Sequence, residues 1–247
     1  VKSMSPFDRQ ARLKTSKPVA EKAYLEFAAR HVIDWEPDKV RLVTKTLESI
    51  NKRLTGLNVP FPKRIVLVHT TGQEESGAAY CRGNAIILPV QRLQAPARRT
   101  ERLVIHELFH VLSNQNPKLR KELYAVIGFR PCNDVPLPDG YRERKITNPD
   151  GPAVDYYIEL DERGKKMAAA PILFSKVKKF PGGDASFFQL MQFKLMVIEK
   201  RGDRFAAVIE NGVPVLLDVD SREMKTPKSF FQQIGRNTRY IIHPDEV

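Results

Sequence analysis

The sequence predicts an α+β fold with a helical first half and a β-rich second half. Three observations carry that prediction. Up to about residue 127, most apolar residues recur at the three- and four-residue spacing of amphipathic helices, around a few short strand-like runs. Beyond residue 153 the apolar segments shorten and become rich in β-branched and aromatic side chains. Asn211 followed by Gly212, between two such segments, is the strongest hairpin signal in the chain.

Residues 1–17 are polar and basic and are expected to form a flexible arm. Over residues 18–33, Val19, Ala23, Phe27 and Ala28 recur at helical spacing. A second helix follows Pro37, carries Val40, Leu42, Val43, Leu47, Ile50 and Leu54, and stops at Gly56. Residues 65–68 read as a buried strand, and 79–81 with 85–88 as a hairpin turning at Gly83 and Asn84. Pro96 opens a helix that runs to about Asn114. Residues 114–117 break it, and a short helix over 118–127 ends at Gly128.

Residues 130–152 hold five prolines and two glycines and are expected to form a long loop, with turn chemistry over 148–151. Strands are expected over 154–160, 172–177, 193–198, 205–209 and 213–219. A short helix over 227–234 and an extended stretch over 239–242 complete the chain. The organisation expected is the arm followed by a single domain over 18–247. Within it, 18–129 carries the helices, 153–226 is a β-rich subdomain and 227–247 is a terminal segment.

Composition narrows the function classes. Hydrophobic residues make up 42% of the 247 and charged residues 28%, which excludes a disordered or collagen-like chain. No apolar run approaches the roughly 20 residues of a membrane helix, so no membrane span is expected. The formal charge is +12, but the basic residues are scattered among acids and accompany no nucleic-acid motif, so a nucleic-acid partner is not expected. Cys81 and Cys132 stand 51 positions apart, which fits neither a zinc ribbon nor a redox Cys-x-x-Cys and leaves open one disulfide or two thiols. The first residue is Val, so a processed or partial chain is expected, and the setting favoured is bacterial and extracytoplasmic.

The chemistry-bearing residues are His106, Glu107, Leu108, Phe109 and His110 in succession. Two His four residues apart lie one turn apart on the same face of a helix, so both imidazoles can reach one metal ion. Neutral imidazole is a natural zinc ligand, and three protein ligands leave a fourth position for water. Glu107 sits where it can accept a proton from that water. With five His and sixteen Glu in the chain, the pattern is expected by chance only about 0.006 times, so coincidence is a poor account of it. Val104, Leu108, Val111 and Leu112 form an apolar stripe that gives the helix a core face distinct from its His face.

The pentapeptide, the apolar helix and the preceding run 85–88 resemble gluzincin metallopeptidases, in which such a strand lies at the sheet edge beside the active-site helix. The third His of metzincins is absent, because His110 is followed by Val111, Leu112, Ser113, Asn114 and Gln115, which leaves a carboxylate as third ligand, the gluzincin or aspzincin solution. The segment from Tyr240 to Glu246 is similar to the His-Pro-acid-Glu segment of a group of bacterial metallopeptidase-like proteins. That resemblance implies a zincin-like domain holding one zinc ion through His106, His110 and Glu246. It implies further that Glu107 is the catalytic base and that His243 or Tyr240 stabilises the developing oxyanion.

Glu246 lies 136 positions after His110, so the β-rich subdomain is read as an insertion between ligands. The sequence stops at Val247, before the Asp that gluzincins carry four residues after the ligand Glu. Glu122, on the helix after the motif, is the rival third ligand. The expected function is zinc-dependent hydrolysis of a peptide or protein substrate; the alternative is a non-catalytic zincin-like binding protein. Trp35, His31 and His69 read as packing or ordinary residues.

Overall fold

The computed structural model of the chain describes residues 1–162, 165–183 and 185–218, with Phe230, Ile234 and Pro244. The helices are α1 (Pro6–Arg12), α2 (Glu21–Arg30), α3 (Pro37–Leu54), α4 (Ala97–Gln115), α5 (Pro117–Val126) and α6 (Phe187–Leu190). The first strands are β1 (Val66–Thr70), β2 (Tyr80–Arg82), β3 (Ala85–Pro89) and β4 (Phe129–Pro131). Then follow β5 (Tyr156–Glu162), β6 (Lys165–Ser175), β7 (Met191–Arg201), β8 (Arg204–Ala207), β9 (Ile209–Glu210), β10 (Val213–Pro214) and β11 (Leu216–Asp218). The mixed α+β class is as expected. The chain divides into two compact units, a helical unit of residues 20–120 and a β unit of residues 1–19 with 121–247.

In the helical unit, β3 is the centre of a three-stranded sheet, parallel to β1 and antiparallel to β2. The run 85–88, expected at the sheet edge, is therefore central. Its continuous apolar character is that of a strand covered on both faces, and Ile86, Ile87 and Leu88 are all buried. The antiparallel edge strand is β2. Helix α3 places Val43, Thr46 and Ile50 inward at helical spacing, while Val40 stays exposed. Helix α2 buries only Tyr24, whose hydroxyl donates to Glu75 Oε1 at 2.9 Å.

Helix α4 packs on α3, β2 and β3. Its Val104, Leu108 and Val111 join Val43, Ile50, Cys81, Ile86 and Leu88 in one core cluster, with Trp35 packed at its margin. Glu101 on α4 accepts from Ser49 Oγ at 3.1 Å and pairs with Arg53 at 3.0 Å, tying the two helices on their outer side. The helix ends where Asn116 bonds Leu112 O through both its backbone and side-chain N–H, ahead of Pro117.

The β unit is built on an antiparallel sheet in the order β11-β7-β6-β5-β4, with β8 also on β7. Successive residues of β6 alternate between two cores, as a pleated strand requires. Ile172 and Phe174 join Val135, Leu137, Val154, Met196 and Ile198, whereas Leu173 joins Phe7, Ala11, Ile146 and Phe180. The proline-rich segment 130–152 thus supplies core residues and the short strand β4, in addition to its loops. Asn211 (φ 51°) and Gly212 (φ 77°) form the expected tight turn between β9 and β10; positive φ at both positions is what a type I′ hairpin demands.

Residues 1–17 are not a loose arm. Ser5 caps α1 by accepting from the Asp8 backbone N–H at 3.0 Å, and Pro6 sits at its first turn. Phe7 and Ala11, four residues apart, bury one face of this short helix. Asp8 and Arg12, both buried, form an ion pair, and Asp8 Oδ2 accepts from Thr147 N while Arg12 donates to Thr147 O. Of the helix expected over 227–234, only Phe230 and Ile234 are described, both buried. The extended stretch over 239–242 lies outside the described residues.

Candidate metal centre

Helix α4 sorts its residues by angle. At 100° per residue, the stripe Val104, Leu108 and Val111 spans about 60°, and His106 and His110 project from the far side of the helix. The stripe holds the helix against β2, β3 and α3, and so fixes the direction of the imidazoles without using them in the helical unit's own core.

His106 is half-buried and His110 is fully buried. Their Nε2 atoms approach to 3.0 Å, and the rings meet edge-on with centroids 4.4 Å apart at 82°. Two nitrogens bound to one tetrahedral zinc at 2.0–2.1 Å would stand about 3.3 Å apart, so the pair is within a few tenths of an ångström of chelating geometry. The same approach serves as a ring-to-ring hydrogen bond. Glu107, only 2% exposed, brings a carboxylate oxygen within 4.8 Å of a ring nitrogen of His110. Ser113 Oγ donates to the His110 carbonyl at 3.2 Å, which braces the turn that carries the second imidazole.

The two converging imidazole nitrogens suit a borderline-soft divalent cation, and the Glu107 carboxylate stands beside them in the same turn. Glu122 is exposed on α5, the ordinary fate of a Glu in a Lys-Glu pair. Tyr240, His243 and Glu246 lie outside the described residues.

Other titratable groups have structural employment. His69 is buried in β1, bonds Leu88 O through Nδ1 at 2.8 Å and stacks on Trp35 at 4.7 Å. His31 Nδ1 lies 2.7 Å from Thr71 Oγ1, at the junction of α2 with the end of β1. Sequence reasoning missed the buried acids Glu74 and Glu75, because a Gln-Glu-Glu run between a strand and a Gly reads as a solvated loop. Glu74 accepts from Thr70 Oγ1 at 2.7 Å, and Glu75 accepts from Tyr24 and lies 3.7 Å from Arg82. Burial, with these two carboxylates, raises the pKa of Tyr80 on the edge strand and keeps its hydroxyl protonated.

Both cysteines are free thiols. Cys81 is buried in the core of the helical unit, and burial pushes the half-buried Cys132 thiol up to about 12. Cys132 is therefore not a reactive thiolate at neutral pH. Among the described residues no helix is long and apolar enough to cross a membrane. Comparisons with protein-family models, with curated proteins and with solved structures find no match.

Proposed function

We propose that this chain is a zinc-dependent peptide-bond hydrolase of gluzincin type. The observation that supports the reading is the convergence of His106 and His110 Nε2 at 3.0 Å, with buried Glu107 beside them. Two imidazoles and an acid on one helix supply two of the three protein ligands and the base that metal-assisted hydrolysis needs.

His106 and His110 would hold the ion through Nε2, which requires both rings neutral with the proton on Nδ1. By resemblance, Glu246 supplies the third ligand. Zinc, when bound, supplies a Lewis acid and lowers the pKa of a coordinated water to about 7. Glu107 accepts the proton of the attacking water on a carboxylate oxygen and delivers it to the leaving amine, acting first as base and then as acid. Tyr240 or His243 donates a hydrogen bond to the oxygen on which negative charge develops. A +12 chain favours acidic substrates at low salt.

Casein turnover tests the reaction. Hydrolysis is expected from purified protein, to be lost on treatment with a zinc chelator and to return on adding back one equivalent of zinc. Turnover that ignores the chelator would place the chemistry elsewhere.

The third ligand is tested by comparing Glu246→Ala with Glu122→Ala. Losing a supporting residue around a metal costs about ten- to a hundred-fold in affinity, so losing a ligand should cost at least the upper figure. Glu246→Ala is expected to weaken zinc binding by at least about a hundred-fold. Glu122→Ala, which removes an exposed carboxylate, is expected to leave binding unchanged. The reverse ranking would move the ligand to Glu122.

A further inference from the structure

The β unit contains a cavity of about 470 Å³ that the metal chemistry does not use. It is formed between the segment leading into α1 and the loops 134–137 and 142–145. Its volume falls in the range of small-molecule sites, about 300–1,000 Å³. Its walls are of two kinds. Met4, Val135 and Leu137, all buried, form its apolar base, and the last two are anchored in the core of the β unit. Lys145, Arg142 and the exposed Lys2 supply positive charge.

The acids at the same cavity are partly spent. Asp134 Oδ1 accepts from Val154 N at 2.9 Å, and Glu143 Oε2 accepts from Gly140 N at 2.8 Å. Arg142 is an exposed residue with an ion pair to Asp139 at 3.3 Å. Lys145 is different. Among the described residues, its ammonium makes one hydrogen bond, to Pro152 O at 2.6 Å, and has no carboxylate within 4.0 Å. An ammonium carries three donors, so two remain for a ligand. Removal of water from Lys145 lowers its pKa, against the pull of Asp134, Asp8 and Asp155. An anion in the cavity would relieve that desolvation through charge-assisted hydrogen bonds.

We propose that this cavity is a binding site for a small organic carboxylate. Its carboxylate pairs with Lys145, and its hydrocarbon part lies on Met4, Val135 and Leu137. The site lies wholly within the β unit and stands or falls independently of the metal centre.

The test is a titration of the isotopically labelled full chain with sodium hexanoate, followed at the backbone amides of Val135, Leu137 and Arg142. Hexanoate is expected to shift these amides saturably. Hexan-1-ol and hexylammonium, which share its hydrocarbon part but not its charge, are expected to bind at least about ten-fold more weakly, as is inorganic phosphate, which lacks the hydrocarbon part. Lys145→Gln removes the charge while keeping a donor for Pro152 O, and is expected to weaken hexanoate binding about ten-fold or more. Hexanoate shifts absent from these amides, or matched by hexylammonium or by phosphate, would overturn the proposal on the wild-type protein alone. Wild-type affinity in Lys145→Gln would overturn it as well.

Discussion

Glu107→Gln is expected to keep the fold and the zinc and to lose nearly all hydrolysis. Gln has the size and shape of Glu, and Glu107 is 2% exposed, so an isosteric change is the one the packing tolerates. The amide cannot take a proton from water at neutral pH. General-base catalysis is worth about a hundred-fold to ten-thousand-fold, and that is the drop expected in casein turnover. Metal analysis of the same variant separates the roles. A variant that loses zinc makes Glu107 a ligand, and one that retains full turnover moves the base to another residue.

The second large effect is expected in the core of the β unit. Phe7→Ala should destabilise the protein by about 3–5 kcal/mol, the usual result of emptying a buried aromatic site. Phe7 is 0% exposed and meets Phe180 edge-on, with ring centroids 6.0 Å apart at 73°. Chemical denaturation of wild type and variant measures the difference. A change within a few tenths of a kcal/mol would mean that α1 does not hold the β unit together and that residues 1–17 behave as a free arm after all.

These two positions mark what the sequence made legible and what it hid. The motif helix was readable because two independent periodicities coincide on it. Val104, Leu108 and Val111 specify the side that packs in the helical unit's core, and His106 and His110, one turn apart, specify the other. Helix α3 and the turn at Asn211 and Gly212 were readable for the same reason, since each is fixed by local chemistry. Helix α1 was missed because seven residues give too short a window for periodicity, and its basic neighbours dominate the composition. The signals were present nonetheless: Ser5 and Pro6 at its start, and Phe7 and Ala11 at i and i+4.

Long-range pairing was the larger gap. That β3 is central follows from its parallel partner β1, which enters the sheet from some twenty residues earlier, and no local pattern announces this. The ion pair of Asp8 and Arg12 closes on Thr147, about 140 residues away, and gathers two segments into one unit that read as arm and loop. The buried acids Glu74 and Glu75 escaped notice because their partners, Thr70, Tyr24 and Arg82, are assembled only by the fold.

The central claim is that His106 and His110 hold a metal ion. Elemental analysis of the purified chain, produced in zinc-sufficient medium, tests it most directly. One zinc per chain is predicted, falling towards zero in His110→Ala. A wild-type stoichiometry near zero would contradict the claim and reduce the pair to a ring-to-ring hydrogen bond on a structural helix.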